Sequence, residues 1–75
     1  MTTETLSNGN HEFRVSTVPL LEGRWTHTIV HAEHTVNSVV ETRLDSSAVY
    51  NSEQEALEQG LFSAKQVAKR RGIDL

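Results

Sequence analysis

The sequence predicts an α+β domain: a three-stranded antiparallel sheet with one C-terminal helix packed on one face, in the order β-β-β-α. Three observations carry this expectation. Apolar and polar residues alternate with period two in three stretches between His11 and Asp45. An apolar repeat of helical spacing then runs from Ser52 to the C-terminus. Between them stand the breaks Pro19, Gly23 and Asp45-Ser46-Ser47. With 75 residues, 36% of them apolar, the chain has material for one core and not two.

Residues 1–10, MTTETLSNGN, are polar apart from Met1 and Leu6, and are expected to form a disordered tail before a single domain over residues 11–75. The first strand runs from His11 to Pro19, where Phe13 and Val15 alternate with Glu12, Arg14 and Ser16. Pro19 ends it, and Leu20-Leu21-Glu22-Gly23 reads as a hairpin loop in which Gly23 supplies a positive φ. Arg24 to Glu33, rich in threonine and β-branched residues, is the second strand, with Trp25, His27 and Ile29 on one face. Val36 to Asp45 is the third. Pairing Ile29 with Val40 sets Trp25 opposite Leu44 and Arg24 opposite Asp45, an alignment that matches apolar and charged partners at once. The polar connection near His34-Thr35 carries no Asn-Gly or Asp-Gly signal, so its turn type stays open.

The helix is the most fully specified element. Ser52-Glu53-Gln54-Glu55 matches a capping box, in which the serine oxygen accepts a first-turn N–H and the glutamate reaches back to the serine N–H. Leu57, Leu61, Ala64 and Ala68 form the apolar stripe, widened by Ala56, Gly60 and Val67. Gly60 costs about 1 kcal/mol against alanine in a helix interior, which a close approach of helix to sheet would explain. Gly72 followed by Ile73 reads as a Schellman cap. The expected core is therefore Phe13, Val15, Trp25, Ile29, Val40, Leu44, Leu57, Leu61, Ala64 and Ala68. Phe62 lies off the stripe, and either covers a sheet edge or adds to an association surface.

Composition closes several function classes. With no cysteine, thiol catalysis, iron–sulfur clusters and cysteine-ligated zinc are excluded. No segment approaches the roughly 20 apolar residues of a membrane span, and Met1-Thr2-Thr3-Glu4-Thr5 has no signal-peptide character, so the expected location is the cytoplasm. His11, His27, His31 and His34 invite a metal reading, but His27 and His31 on one strand stand about 13 Å apart, which leaves only a pair such as His31 and His34 across the turn. No metal, cofactor or small-molecule substrate is expected. Serines with an identifiable setting serve as a cap or in a turn, no phosphate-cradling glycine loop exists, and the expectation is a protein without enzymatic activity.

Two binding readings remain. The net charge of −3 divides unevenly, with four cations in Lys65, Lys69, Arg70 and Arg71 near the C-terminus, where they also complement the helix dipole. Val30 and Val39 are expected side by side on the sheet face away from the helix, which with an unpaired edge strand suggests protein association, either as a weak homodimer or as a partner-binding module. Arg14, Arg24 and Arg43 on the same open face suggest nucleic-acid binding as the alternative, and Glu12 and Glu41 share that face.

Gly23-Arg24-Trp25, two strands, Tyr50-Asn51-Ser52-Glu53-Gln54-Glu55-Ala56 at a helix start and Gly72-Ile73-Asp74 at the close together resemble a group of small uncharacterised bacterial β-β-β-α proteins, over residues 11–75. That resemblance implies a fold and no activity. The same layout is similar to the N-terminal arm-binding (AP2-like) DNA-binding domain of tyrosine-type phage integrases, whose sheet enters a DNA major groove. It implies Arg14, Arg24 and Arg43 as the DNA-facing residues.

Overall fold

Short connections between successive extended segments favour antiparallel neighbours, and the sheet is built that way throughout. The computed structural model describes residues 1–75. The elements are β1 (Thr3–Asn8), β2 (His11–Pro19), a 3-10 turn (Leu21–Gly23), β3 (Trp25–His34), β4 (Val39–Asp45) and α1 (Glu53–Arg70). The strands lie in the order β1-β2-β3-β4 with every pair antiparallel. The protein is thus α+β with one C-terminal helix, as expected, but the sheet has four strands and not three.

The additional strand comes from the residues expected to be a disordered tail. Gly9 at φ 58° opens the two-residue loop Gly9-Asn10, which places Asn8 opposite His11. A positive φ at the first central position is the requirement of a type II′ hairpin. Leu6 then falls opposite Phe13 and packs on the core, while Thr3 and Thr5 occupy the other face. The end of the strand is tied by Thr2, whose N–H donates to Thr17 Oγ1 at 2.8 Å and whose carbonyl accepts from the Thr17 N–H at 2.9 Å.

Strand β2 ends at Pro19 as expected, and Gly23 takes its positive φ in the following turn. Between β3 and β4 the register differs from expectation. Ile29 pairs with Leu44, Thr28 with Asp45 and Glu33 with Val40, a shift of four residues from the Ile29–Val40 alignment. The turn lies two residues further on, at Val36-Asn37, because Thr35 and Ser38 lock its base. The Thr35 N–H donates to the Ser38 carbonyl at 2.8 Å, and the Ser38 N–H donates to Thr35 Oγ1 at 3.1 Å. An even shift keeps each side chain on its expected face. It also moves Trp25 past the end of β4, where its backbone bridges to Tyr50 instead of facing Leu44.

Helix α1 starts at the Ser52 cap, whose Oγ accepts from the Glu55 N–H at 3.1 Å. The Glu55 side chain makes no return bond, so one half of the capping box is present. The C-terminus closes as a Schellman motif: the Ile73 N–H donates to the Ala68 carbonyl at 2.8 Å and the Gly72 N–H to that of Lys69 at 3.2 Å.

The helix lies over β2 and β3. Its buried residues are Ala56, Gly60, Ala64 and Ala68, a row of small side chains four apart, with Leu57, Leu61 and Val67 flanking it half-buried. Phe13, Val15, Ile29, Ala64 and Ala68 form the core cluster, joined at the margin by Leu6, Leu44 and Ile73. Two expected core residues lie outside it. Val40 is 55% exposed because the helix does not extend over β4, and Trp25 is half-buried at the sheet end. Thr17, His27 and His31 occupy buried positions in their place. No helix is long and apolar enough to cross a membrane.

Candidate functional site

Alternation along β2 and β3 brings His11, Phe13 and His31 to the helix face, at the end where α1 terminates. The His31 ring stacks on Phe13 with centroids 4.2 Å apart and planes within 6°. Arg71, just beyond the helix, donates to His31 Nδ1. A guanidinium has no acceptor, so Nδ1 of His31 must be unprotonated and its proton sits on Nε2. Nε2 lies 3.0 Å from His11 Nδ1 and donates to it. The result is a directed chain from Arg71 through His31 to His11, beside a cleft of about 240 Å3 lined also by Glu33, Val40, Thr42 and Ile73. Burial pushes the His31 pKa down, the Arg71 guanidinium and the neighbouring His11 imidazole push it the same way, and Glu33 opposes them.

His27 lies further along the same face, stacked on Tyr50 at 5.6 Å, with a buried Nδ1 that has no hydrogen-bond partner. Burial lowers its pKa too, opposed by the Ala56 backbone. His34 projects to the opposite face from His31 and belongs to the same strand, so the two do not meet across a turn. No group of three or more histidine and carboxylate side chains is arranged to hold a metal ion.

The open face carries the residues singled out for binding. Arg14, Val30 and Arg43 form one cross-strand row. Val39 pairs with His34, four residues from Val30, so the two valines are about 13 Å apart rather than side by side. Both arginines of the row are engaged by carboxylates. Arg14 bonds Glu41 and lies 3.0 Å from Glu12, and Arg43 Nε donates to Asp45 Oδ1 at 2.8 Å. Arg24 stands apart, exposed ahead of β3, about 20 Å along the strand direction from the Arg14–Arg43 row.

The feature that sequence reasoning placed only in outline is the free edge. Strand β4 is hydrogen-bonded to β3 on one side and to nothing on the other, and only Leu44 of its seven residues is even half-buried. Val39 is 52% exposed on the open face, and Val40 is exposed on the helix face. At the opposite edge, β1 offers threonine, serine, glutamate and asparagine around a half-buried Leu6. Phe62 stays 59% exposed on the helix. The signal for the edge was present in Val39-Val40, whose adjacent apolar side chains must point to opposite faces of a strand and cannot both be covered by one helix.

No family model matches the sequence, and no curated protein or solved structure matches it.

Proposed function

We propose that this chain is a non-enzymatic, cytoplasmic protein-association module that binds by adding a partner strand to the edge of β4. The observation that carries this reading is the edge itself: an unpaired strand of seven residues, uncovered by the helix, with Val39 and Val40 exposed on its two faces. A row of unpaired N–H and C=O groups is a ready template for a further strand, and alternate side chains then supply selectivity. The exposed charges Glu41, Arg43 and Asp45 limit indiscriminate pairing and favour a partner of matching charge pattern. Nucleic-acid binding through Arg14, Arg24 and Arg43 is the lesser reading, since Arg14 and Arg43 already satisfy carboxylates and the three do not converge.

Position-specific photocrosslinking in cells tests the reading. A benzoylphenylalanine at position 40 is expected to give adducts that the same probe at Thr5, on the opposite edge, does not give. Absence of adducts at position 40, or equal adducts at both edges, would remove the β4 assignment.

A further inference from the structure

We infer that the strand docking on β4 is β4 of a second copy, antiparallel and centred on Thr42. This rests on the association reading above and adds the identity and register of the partner. Within β4, the order Val40-Glu41-Thr42-Arg43-Leu44 is self-complementary when reversed upon itself. With Thr42 opposite Thr42 of the partner subunit, Glu41 faces the partner's Arg43 and Arg43 faces the partner's Glu41. Val40 likewise faces the partner's Leu44. Glu41 and Arg43 lie on the open face, whereas Val40, Thr42 and Leu44 lie on the helix face, so the central charges meet opposite charges and Val40 meets an apolar partner, while at the two ends Val39 faces the partner's Asp45.

Neighbouring registers fail this test. Centring on Glu41 opposes two glutamates, and centring on Arg43 opposes two arginines and sets Glu41 against the partner's Asp45. Slips of one residue from the Thr42 register pair Glu41 and Arg43 only with uncharged side chains. The Thr42 alignment is therefore the one among these five that joins opposite charges, and it excludes its nearest competitors in the same face orientation by like-charge contact. It is isologous, as a two-fold dimer requires, and it extends two four-stranded sheets into one of eight strands with both helices on the same side. Glu41 can hold Arg14 of its own chain while receiving the partner's Arg43, because a carboxylate has two oxygens to offer.

Charge exchange tests the register with the intact chain. Sedimentation equilibrium of the wild type is expected to show a monomer–dimer equilibrium. Glu41→Arg and Arg43→Glu each convert two attractive contacts into repulsive ones, and each is expected to weaken self-association roughly tenfold or more. Mixing the two variants, or combining both changes in one chain, restores opposite charges across the seam and is expected to restore dimerisation. The combined variant still lacks the Arg14–Glu41 pair, so its recovery distinguishes the intermolecular contact from the intramolecular one. Circular dichroism confirms that each variant is folded.

A wild type that stays monomeric to millimolar concentration overturns the second-copy inference. So do single variants that dimerise as the wild type does, or a folded combined variant that does not recover. Failure here leaves the association reading standing if position 40 crosslinks to a different protein. Absence of crosslinks at position 40 removes both.

Discussion

Gly60→Ala is expected to destabilise the domain although alanine is the better helix former. A Cβ at this position would stand 2.5 Å from Val15 Cγ1, 3.0 Å from His27 Cγ and 3.3 Å from His27 Cβ. Val15 is fully buried and β-branched, and His27 is 3% exposed, so neither side chain has room to give way. Helix propensity favours the substitution by about 1 kcal/mol, whereas inserting a methyl group into a packed interior costs about 1–3 kcal/mol. The balance is a loss of about 1 kcal/mol, or a fall in Tm of about 6 °C for a chain of this size. Thermal melts followed by circular dichroism measure it directly. The double variant with Val15→Ala removes the obstructing Cγ1, and the two changes should couple by more than about 0.5 kcal/mol in the cycle. A higher Tm for Gly60→Ala, or strict additivity with Val15→Ala, would refute the close-approach argument.

Two further predictions concern elements with separate physical origins. Deleting residues 1–8 removes β1, uncovers Phe13 along the β2 edge and takes from Thr17 and Glu53 the contacts made by Thr2. The shortened chain should melt lower, with faster amide exchange in β2, and an unchanged Tm would contradict the paired strand. Stability should also fall in mild acid. His27 and His31 are held below the ordinary value of 6.5, chiefly by burial, so beneath that pH the unfolded chain binds more protons than the folded one. Their contribution is complete above pH 6.5 and is lost as pH falls through the folded-state values. Calorimetry at about pH 7.5 and about pH 5 should show the lower Tm in acid, with a smaller difference in His31→Gln. A Tm that rises on acidification would contradict the burial of both imidazoles.

Elements marked by local chemistry were legible in the sequence. The Ser52 cap, the Gly72-Ile73 closure and the Pro19 stop each depend on a few adjacent residues, and each occurs where the residue types place it. Strand β1 was obscured because Thr3–Asn8 has only one apolar side chain, Leu6, and composition alone treats such a segment as unable to support order. Its stability comes from the hairpin geometry of Gly9 and from long-range bonds to Thr17. The β3–β4 register is hidden from the sequence for a related reason: Thr35 and Ser38 close a turn by side-chain hydrogen bonds that no Gly-containing dipeptide announces.

Site legibility followed the same division. Assignment of Val30, Val39, Arg14 and Arg43 to the open face survives the register shift, because four is an even number. Their mutual distances do not survive it, since distance depends on register itself. The Arg71–His31–His11 chain joins residues 40 and 20 positions apart, and only packing of the helix end on the sheet brings them together.

The row Ala56, Gly60, Ala64 and Ala68 presents the sheet with a track that has few projections to catch on β2 or β3. Creeping along the helix axis is opposed by Val15 and His27 seated at Gly60, and by a polar latch at each end. Glu53 is gripped by Thr17 at 2.7 Å, Thr2 at 3.2 Å and the Met1 amine at 3.3 Å, and Arg71 grips His31. The latches are about 27 Å apart along a rigid rod, so both can engage at one setting only. Alignment in this fold thus draws on the apolar packing at Gly60 together with the polar contacts at the helix ends. Releasing one latch would leave the helix attached, with the Gly60 contact and the other latch still setting its position on the sheet.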